Sequence, residues 1–171
     1  TVVRLRGPSG RSTSSWTGYG SVVAIAAPYA CGYAAPVPRE RNPMPQEKLH
    51  PEGAPPPSAP YTPAIRVGDM LWTSGQAPFG ADGQVHGANV AEQTELVFDN
   101  LEAVLAAGGA TLRDVVKITA HLQDLAGDFD AYNEVYARRF GDHRPCRTTV
   151  GSTLGGFLVE IDAVAVVGSG A

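Results

Sequence analysis

The chain has 171 residues, enough for one domain and a tail. Its formal charge of −4 is unevenly spread: residues 1–43 carry five arginines against Glu40, and residues 44–171 carry eight Lys/Arg against sixteen Asp/Glu. An acidic body repels phosphate backbones, so no nucleic-acid partner is expected. The two cysteines, Cys31 and Cys146, lie in compositionally different regions and do not suggest a disulfide framework. The four histidines show no ligand spacing, and no metal site is expected. No apolar run approaches the roughly 20 residues that cross a bilayer, so no membrane partner is expected.

Residues 1–60 do not read as a packed domain. Residues 1–43 are rich in Gly, Ser and Arg, and composition and charge sign change near Met44. This stretch reads as a disordered, cleaved or non-native extension, with Met44 as the expected start of the body. Residues 44–60 form a proline-rich lead-in, with PPP at Pro55–Pro57. From Tyr61 the pattern becomes regular. AIRVGDMLWTSG places two extended runs around Gly68-Asp69, a hairpin signal. Asp82-Gly83 predicts a turn, with a short strand at Gln84–His86. Asn89 is a good N-cap, Glu92 follows three residues later, and Val90, Thr94, Val97, Leu101, Val104 and Leu105 fall on one helical face. Gly108-Gly109 ends that helix.

VVKITAHLQD alternates as a strand, with Val116, Ile118, Ala120 and Leu122 on one side and Lys117, Thr119, His121 and Gln123 on the other. A second helix is predicted from about Asp128 to Gly141, with Phe129, Tyr132, Val135, Tyr136 and Phe140 as its apolar stripe. Strands at Cys146–Val150 and Phe157–Val166 complete an α+β layer in which both helices cover one face of a mixed sheet. The semi-polar opposite face suggests contact with another subunit or a cavity.

The last two strands each carry one charge among apolar residues: Arg147 and Glu160. An arginine fork holds a carboxylate by two parallel hydrogen bonds, and a glutamate moves a proton or holds a water. If the strands lie near each other, the pair forms one site for a small carboxylated molecule. The alternative is a cross-strand ion pair on a solvated face.

The segments YTPAI, LWTSGQAP, NLEAVLAAGGATLRDVVK, FDAYNEVYARRFGDHRPCRTTV and LVEIDAVAV resemble, in order, the RidA (YjgF) family of reactive-intermediate deaminases. The resemblance runs from about Tyr61 to Val166, so the expected domain is 61–167, with a short tail at 168–171. It implies a chorismate-mutase-like fold, a homotrimer with clefts between subunits, and a cytoplasmic location. It implies hydrolysis of imine and enamine acids such as 2-aminoacrylate or 2-iminopropanoate to 2-oxo acids and ammonia, a 2-iminobutanoate/2-iminopropanoate deaminase-like activity needing no cofactor. A trimer that only binds small 2-oxo acids is the alternative.

Carried over position by position, the resemblance has Arg147 hold the substrate carboxylate and Glu160 position the attacking water. Tyr61 would line the cleft, Ser74 and Gly75 would offer a hydroxyl and a backbone N–H, and Asn133 and Thr149 would complete the substrate site. Two departures stand out. Thr149 takes the place of a cysteine found in well-known members, so no thiol nucleophile is available there. The turn GSTLGG at residues 151–156 is shorter than usual and lacks its proline. Cys146 is expected to be a small packed residue facing away from Arg147.

Overall fold

The computed structural model describes residues 44–52 and 59–171. The expectations for residues 1–43 and for the Pro55–Pro57 run lie outside the described residues. The elements are β1 (Glu47–Leu49), β2 (Ala64–Val67), β3 (Met70–Thr73), α1 (Val90–Ala107), a 3-10 turn (Leu112–Asp114), β4 (Val115–Leu122), α2 (Leu125–Phe140), β5 (Cys146–Gly151) and β6 (Val159–Val166). The sheet order is β1-β2-β3-β6-β4-β5. Among the described strands only β4 and β5 run parallel, as expected for strands joined through a helix.

The predicted hairpin is present: β2 and β3 pair antiparallel across Gly68, whose φ of 60° few other residues adopt. β1 was not legible in the lead-in. Its Lys48 pairs with Ile65, so the sheet begins before Tyr61. At Gln84–His86 there is no strand, only an isolated bridge between Phe79 and Val85.

Helix α1 starts where its cap predicts. The Asn89 side chain accepts from the Glu92 N–H at 3.0 Å, and the Glu92 carboxylate accepts from Ala88 N–H at 2.9 Å. Every residue of the predicted stripe is buried, together with Phe98 and Gln93. Helix α2 starts three residues before the expected Asp128. Asp124 caps it by accepting from Ala126 and Gly127 N–H at 3.1 and 3.0 Å. Gly127 in the first turn hides this start, because glycine weakens a helical pattern without forbidding it.

Both helices cover one sheet face. Leu71, Val97, Leu101, Leu105, Ile118, Leu122, Tyr132 and Ile161 are buried between the layers. Each such aliphatic side chain contributes about 1.5–3 kcal/mol by leaving water. Arg139 of α2 straps the helices together, reaching Glu95, Asp99 and Glu102 of α1 at 3.0, 2.8 and 3.1 Å.

Strand β4 departs from simple alternation. A register shift between Val115 and Lys117 buries Val115 and leaves Val116 exposed, the reverse of the predicted side for Val116. A bulge turns one extra residue outward and resets the pleat. Ile118, Ala120 and Leu122 are core, as expected.

Asp114 anchors the C-terminus. Its carboxylate accepts from Thr111 N–H at 2.8 Å, the Thr111 hydroxyl at 3.0 Å and Gly170 N–H at 3.0 Å. The Gly170 bond, then those from Thr111, hold its carboxyl below the usual carboxylate value despite burial. Because the folded value is depressed, the stabilisation is complete above the unfolded value near 4 and is lost as pH falls through the folded one. Asp114→Asn should cost roughly 1–3 kcal/mol at neutral pH. Its melting temperature should also fall less steeply than that of wild type in a scan from pH 5 down to pH 2. Superimposable acid scans would refute the anchor.

Candidate functional site

Strand β5 lies at the sheet edge, and β4 separates it from β6. In register, Arg147 stands beside Ile118 and Thr149 beside Ala120, both core positions on the helix-covered face. Glu160 stands beside His121 on the open face. Alternation therefore puts the cation and the carboxylate on opposite faces of one sheet. Within one chain they form neither the shared site nor the ion pair that their sequence positions left open.

The structure instead assembles two groups of candidates. The first surrounds Arg147. Its Nη1 donates to Asn133 Oδ1 of α2 at 2.8 Å. Its guanidinium carbon stands 4.5 Å from the Tyr136 ring centre and 5.8 Å from those of Tyr132 and Phe129. These contacts hold the cation by aromatic faces and a neutral amide, with no carboxylate among the described residues to neutralise it. The hydroxyls of Tyr132, Tyr136 and Thr149 are buried with no partner among the described residues. Burial pushes the Tyr132 phenol up to about 12, against the pull of the Arg147 cation. Burial raises Tyr136 too. Both phenols therefore stay protonated at neutral pH and remain hydrogen-bond donors.

A pocket of about 300 Å³ opens here, lined by Asn133, Tyr136, Ala137, Arg144, Pro145 and Arg147. Tyr132, Tyr136 and Arg144 were not among the expected site residues. The tyrosines were read as stripe, and only the register of β5 against α2 brings them under Arg147.

The second group surrounds Glu160. Gly75 packs against it so closely that a Cβ at this position would collide with the Glu160 carboxylate and stand 2.8 Å from its carboxyl carbon. The adjoining chain is pinned to β6 by two backbone bonds between Gln76 and Ile161, at 2.8 and 3.0 Å. The Ser74 hydroxyl donates to Thr62 O at 2.7 Å, which ties the loop to the segment following Tyr61. Tyr61 itself is 46% exposed. Thus Tyr61, Ser74, Gly75 and Glu160 belong to one group, and Asn133, Arg147 and Thr149 to the other. Cys146 is exposed, not packed as expected, because it shares the open side of an edge strand with Thr148.

Gly75→Ala tests the packing. The added methyl should displace the Glu160 carboxylate while barely touching the core. Any turnover that uses Glu160 should fall about tenfold or more, as displacements of about 1 Å at reacting groups do. The melting temperature should move by no more than a few degrees. Unchanged turnover would show that the position of Glu160 is immaterial.

A two-helix layer on a mixed six-stranded sheet, with an arginine-lined pocket beside the edge strand, defines the class of α+β protein. Comparison with known proteins narrows the class. A family model described as Endoribonuclease L-PSP matches residues 51–167. A RutC family protein of Pyrococcus abyssi is 39% identical over 125 residues, covering 71% of this chain and 98% of the relative. The 3-aminoacrylate deaminase RutC of Acinetobacter baylyi is 39% identical over 127 residues, covering 72% of this chain and all of the relative. The crystal structure of RidA from the Antarctic bacterium Psychrobacter sp. PAMC 21119 superposes with a TM-score of 0.66 at 30% identity, covering 71% of this chain and 99% of that one. The chain belongs to this L-PSP family, which takes in the YjgF/RidA and RutC proteins.

Proposed function

We propose that the protein hydrolyses reactive 2-imino and enamine acids to 2-oxo acids and ammonia, at sites shared between two copies of the chain in a homotrimer. The observation that carries this is the Arg147 guanidinium, half-buried, bonded to Asn133 and paired with no carboxylate among the described residues. The RutC relative, named as a 3-aminoacrylate deaminase, supports an enamine acid as the substrate class; its nitrogen stands on carbon 3, and the 2-position is this proposal's own.

The reaction makes modest demands. The Arg147 fork fixes the substrate carboxylate, and this orientation lowers the entropic part of the barrier. An imine carbon is electrophilic once its nitrogen is protonated; an enamine first takes a proton at carbon. Glu160 of a second copy holds a water against the C=N carbon and takes its proton as the C–O bond forms. Glu160 passes that proton to the nitrogen, which leaves as ammonia, and the hydroxyl proton goes to Glu160 as the carbonyl forms. Thr149 and the two phenols supply neutral donors near the carboxylate. No step uses a thiol, so threonine at 149 is compatible with the chemistry.

The open sheet face supports assembly. It carries Met70 and Trp72, each 40% exposed, beside Lys117, Thr119 and His121. A face this apolar is commonly covered by another subunit. The endoribonuclease in the family description fits this chain less well, because sixteen acidic residues in the body oppose a phosphate backbone.

The direct test generates 2-aminoacrylate from serine with a dehydratase and follows pyruvate release. The protein should accelerate release in proportion to its concentration. No acceleration, together with retained binding of 2-oxobutanoate, would replace the enzyme with the second reading, a trimer that only binds small oxo acids. The separation of Arg147 from Glu160 within one chain keeps that reading in play.

A further inference from the structure

The described residues include six arginines. Four of them pair with carboxylates: Arg66 with Asp69, Arg113 with Asp142, Arg138 with Glu95, and Arg139 with Glu95, Asp99 and Glu102. The two that do not, Arg144 and Arg147, line the same pocket. No Asp or Glu is among its lining residues. In an acidic body this is the opposite of the expected distribution, since a cation gains by any nearby carboxylate and two cations side by side repel.

The hydrogen bonds are as informative as the charges. Arg144 Nη1 donates to Gly141 O and, at 2.8 Å, to His143 O. Arg147 Nη1 donates to Asn133 Oδ1. In both residues the inner nitrogen is held by a neutral oxygen, and Nε and Nη2 have no partner among the described residues. Those two nitrogens form the edge that grips a carboxylate side-on. Pro145 lies between the arginines in sequence and in the pocket wall. A proline disfavours helical backbone at the residue before it, which limits the conformations open to Arg144. Both cations act on the phenol of Tyr136, a further sign that they converge on one space.

We infer that this pocket takes a dianion, an imino dicarboxylic acid, and that Arg144 is the residue that selects it. Arg147 holds the carboxylate next to the imine carbon and Arg144 holds the distal one. A substrate with a single carboxylate leaves the Arg144 fork to water. The reaction stays balanced as before: water adds to C=N, ammonia leaves, and the product is a 2-oxo dicarboxylic acid. The catalytic part of this inference rests on the deaminase reading; the binding part does not.

The experiment compares 2-iminoglutarate with 2-iminopropanoate. Each is made in place by a flavin oxidase, from D-glutamate and D-alanine, and followed by competition with semicarbazide. Wild type should show the higher kcat/KM on 2-iminoglutarate. Arg144→Gln should lower the ratio of the two kcat/KM values about tenfold, and Arg144→Lys, which keeps the charge and loses the fork, should fall between. Calorimetry with 2-oxoglutarate and 2-oxobutanoate provides a readout independent of turnover: the dianion should bind more tightly to wild type, and the difference should shrink in Arg144→Gln. Melting curves check that the variants fold. If 2-iminopropanoate is turned over but neither the kcat/KM ratio nor the binding difference responds to Arg144, the selection inference is overturned and the deaminase reading stands. If no imine is turned over while 2-oxoglutarate binding depends on Arg144, the dianion site stands and the deaminase reading falls.

Discussion

Arg147→Ala should lower kcat/KM for 2-iminopropanoate hydrolysis by roughly 10- to 150-fold. This is the loss of one charge-assisted pair, about 1.5–3 kcal/mol at 1.4 kcal/mol per decade. Arg147→Lys should not restore it. An ammonium keeps the charge but cannot donate two parallel bonds, and a shorter reach breaks the bond to Asn133 Oδ1. Stability should suffer less than activity. Arg147 contacts aromatic faces and one amide, so its removal costs packing but unpairs no buried carboxylate. The measurement is turnover alongside the melting temperature for wild type and both variants. Near-normal turnover in Arg147→Ala would sink the assigned role. Lost turnover together with a collapsed fold would make Arg147 a structural cation gripping α2.

Glu160→Gln should lower kcat by about 10²–10⁴, the range for a positioned general base, with substrate affinity largely kept because Arg147 is intact. An unchanged kcat would remove Glu160 from the chemistry. The same two substitutions test the shared site. Arg147 and Glu160 lie on opposite faces of one sheet, so a site using both takes them from different copies. When the weakened Arg147→Ala and Glu160→Gln chains are unfolded together and refolded as a mixture, about a quarter of the sites should regain both groups if subunits assort at random. Each variant refolded alone should stay at its own reduced rate. A mixture no more active than its parts would mean that no site combines the two residues across copies.

Much of the fold was legible because it is encoded locally. The Asn89 cap, the stripe from Val90 to Leu105 and the Gly68 turn each depend on residues within a few positions, and local geometry leaves them few alternatives. Some short-range readings went differently. The start of α2 was hidden by Gly127, β1 by its proline-rich surroundings, and Val116 was turned outward by a bulge that alternation does not foresee.

The candidate site divides along the same line. From the sequence alone one could read which residues carry unusual chemistry: an arginine and a glutamate embedded in apolar strands, an asparagine on an otherwise apolar helical stripe, and a glycine after a strand. The sequence also determined the acidic body and the two-helix, one-sheet architecture, because charge totals and hydrophobic periods are sums and patterns along the chain. Only the tertiary structure decided which residues meet. β4 comes between β5 and β6, and strand alternation then sends Arg147 toward α2 and Glu160 toward the open face. The same packing brings Tyr132 and Tyr136 under the Arg147 guanidinium and sets Arg144 beside it, four residues whose proximity depends on how α2 docks against the edge strand. Pairing order and helix docking are set by long-range burial of the apolar faces. The period of a single strand records which residues share a face, and carries no information about which strand will lie beside it.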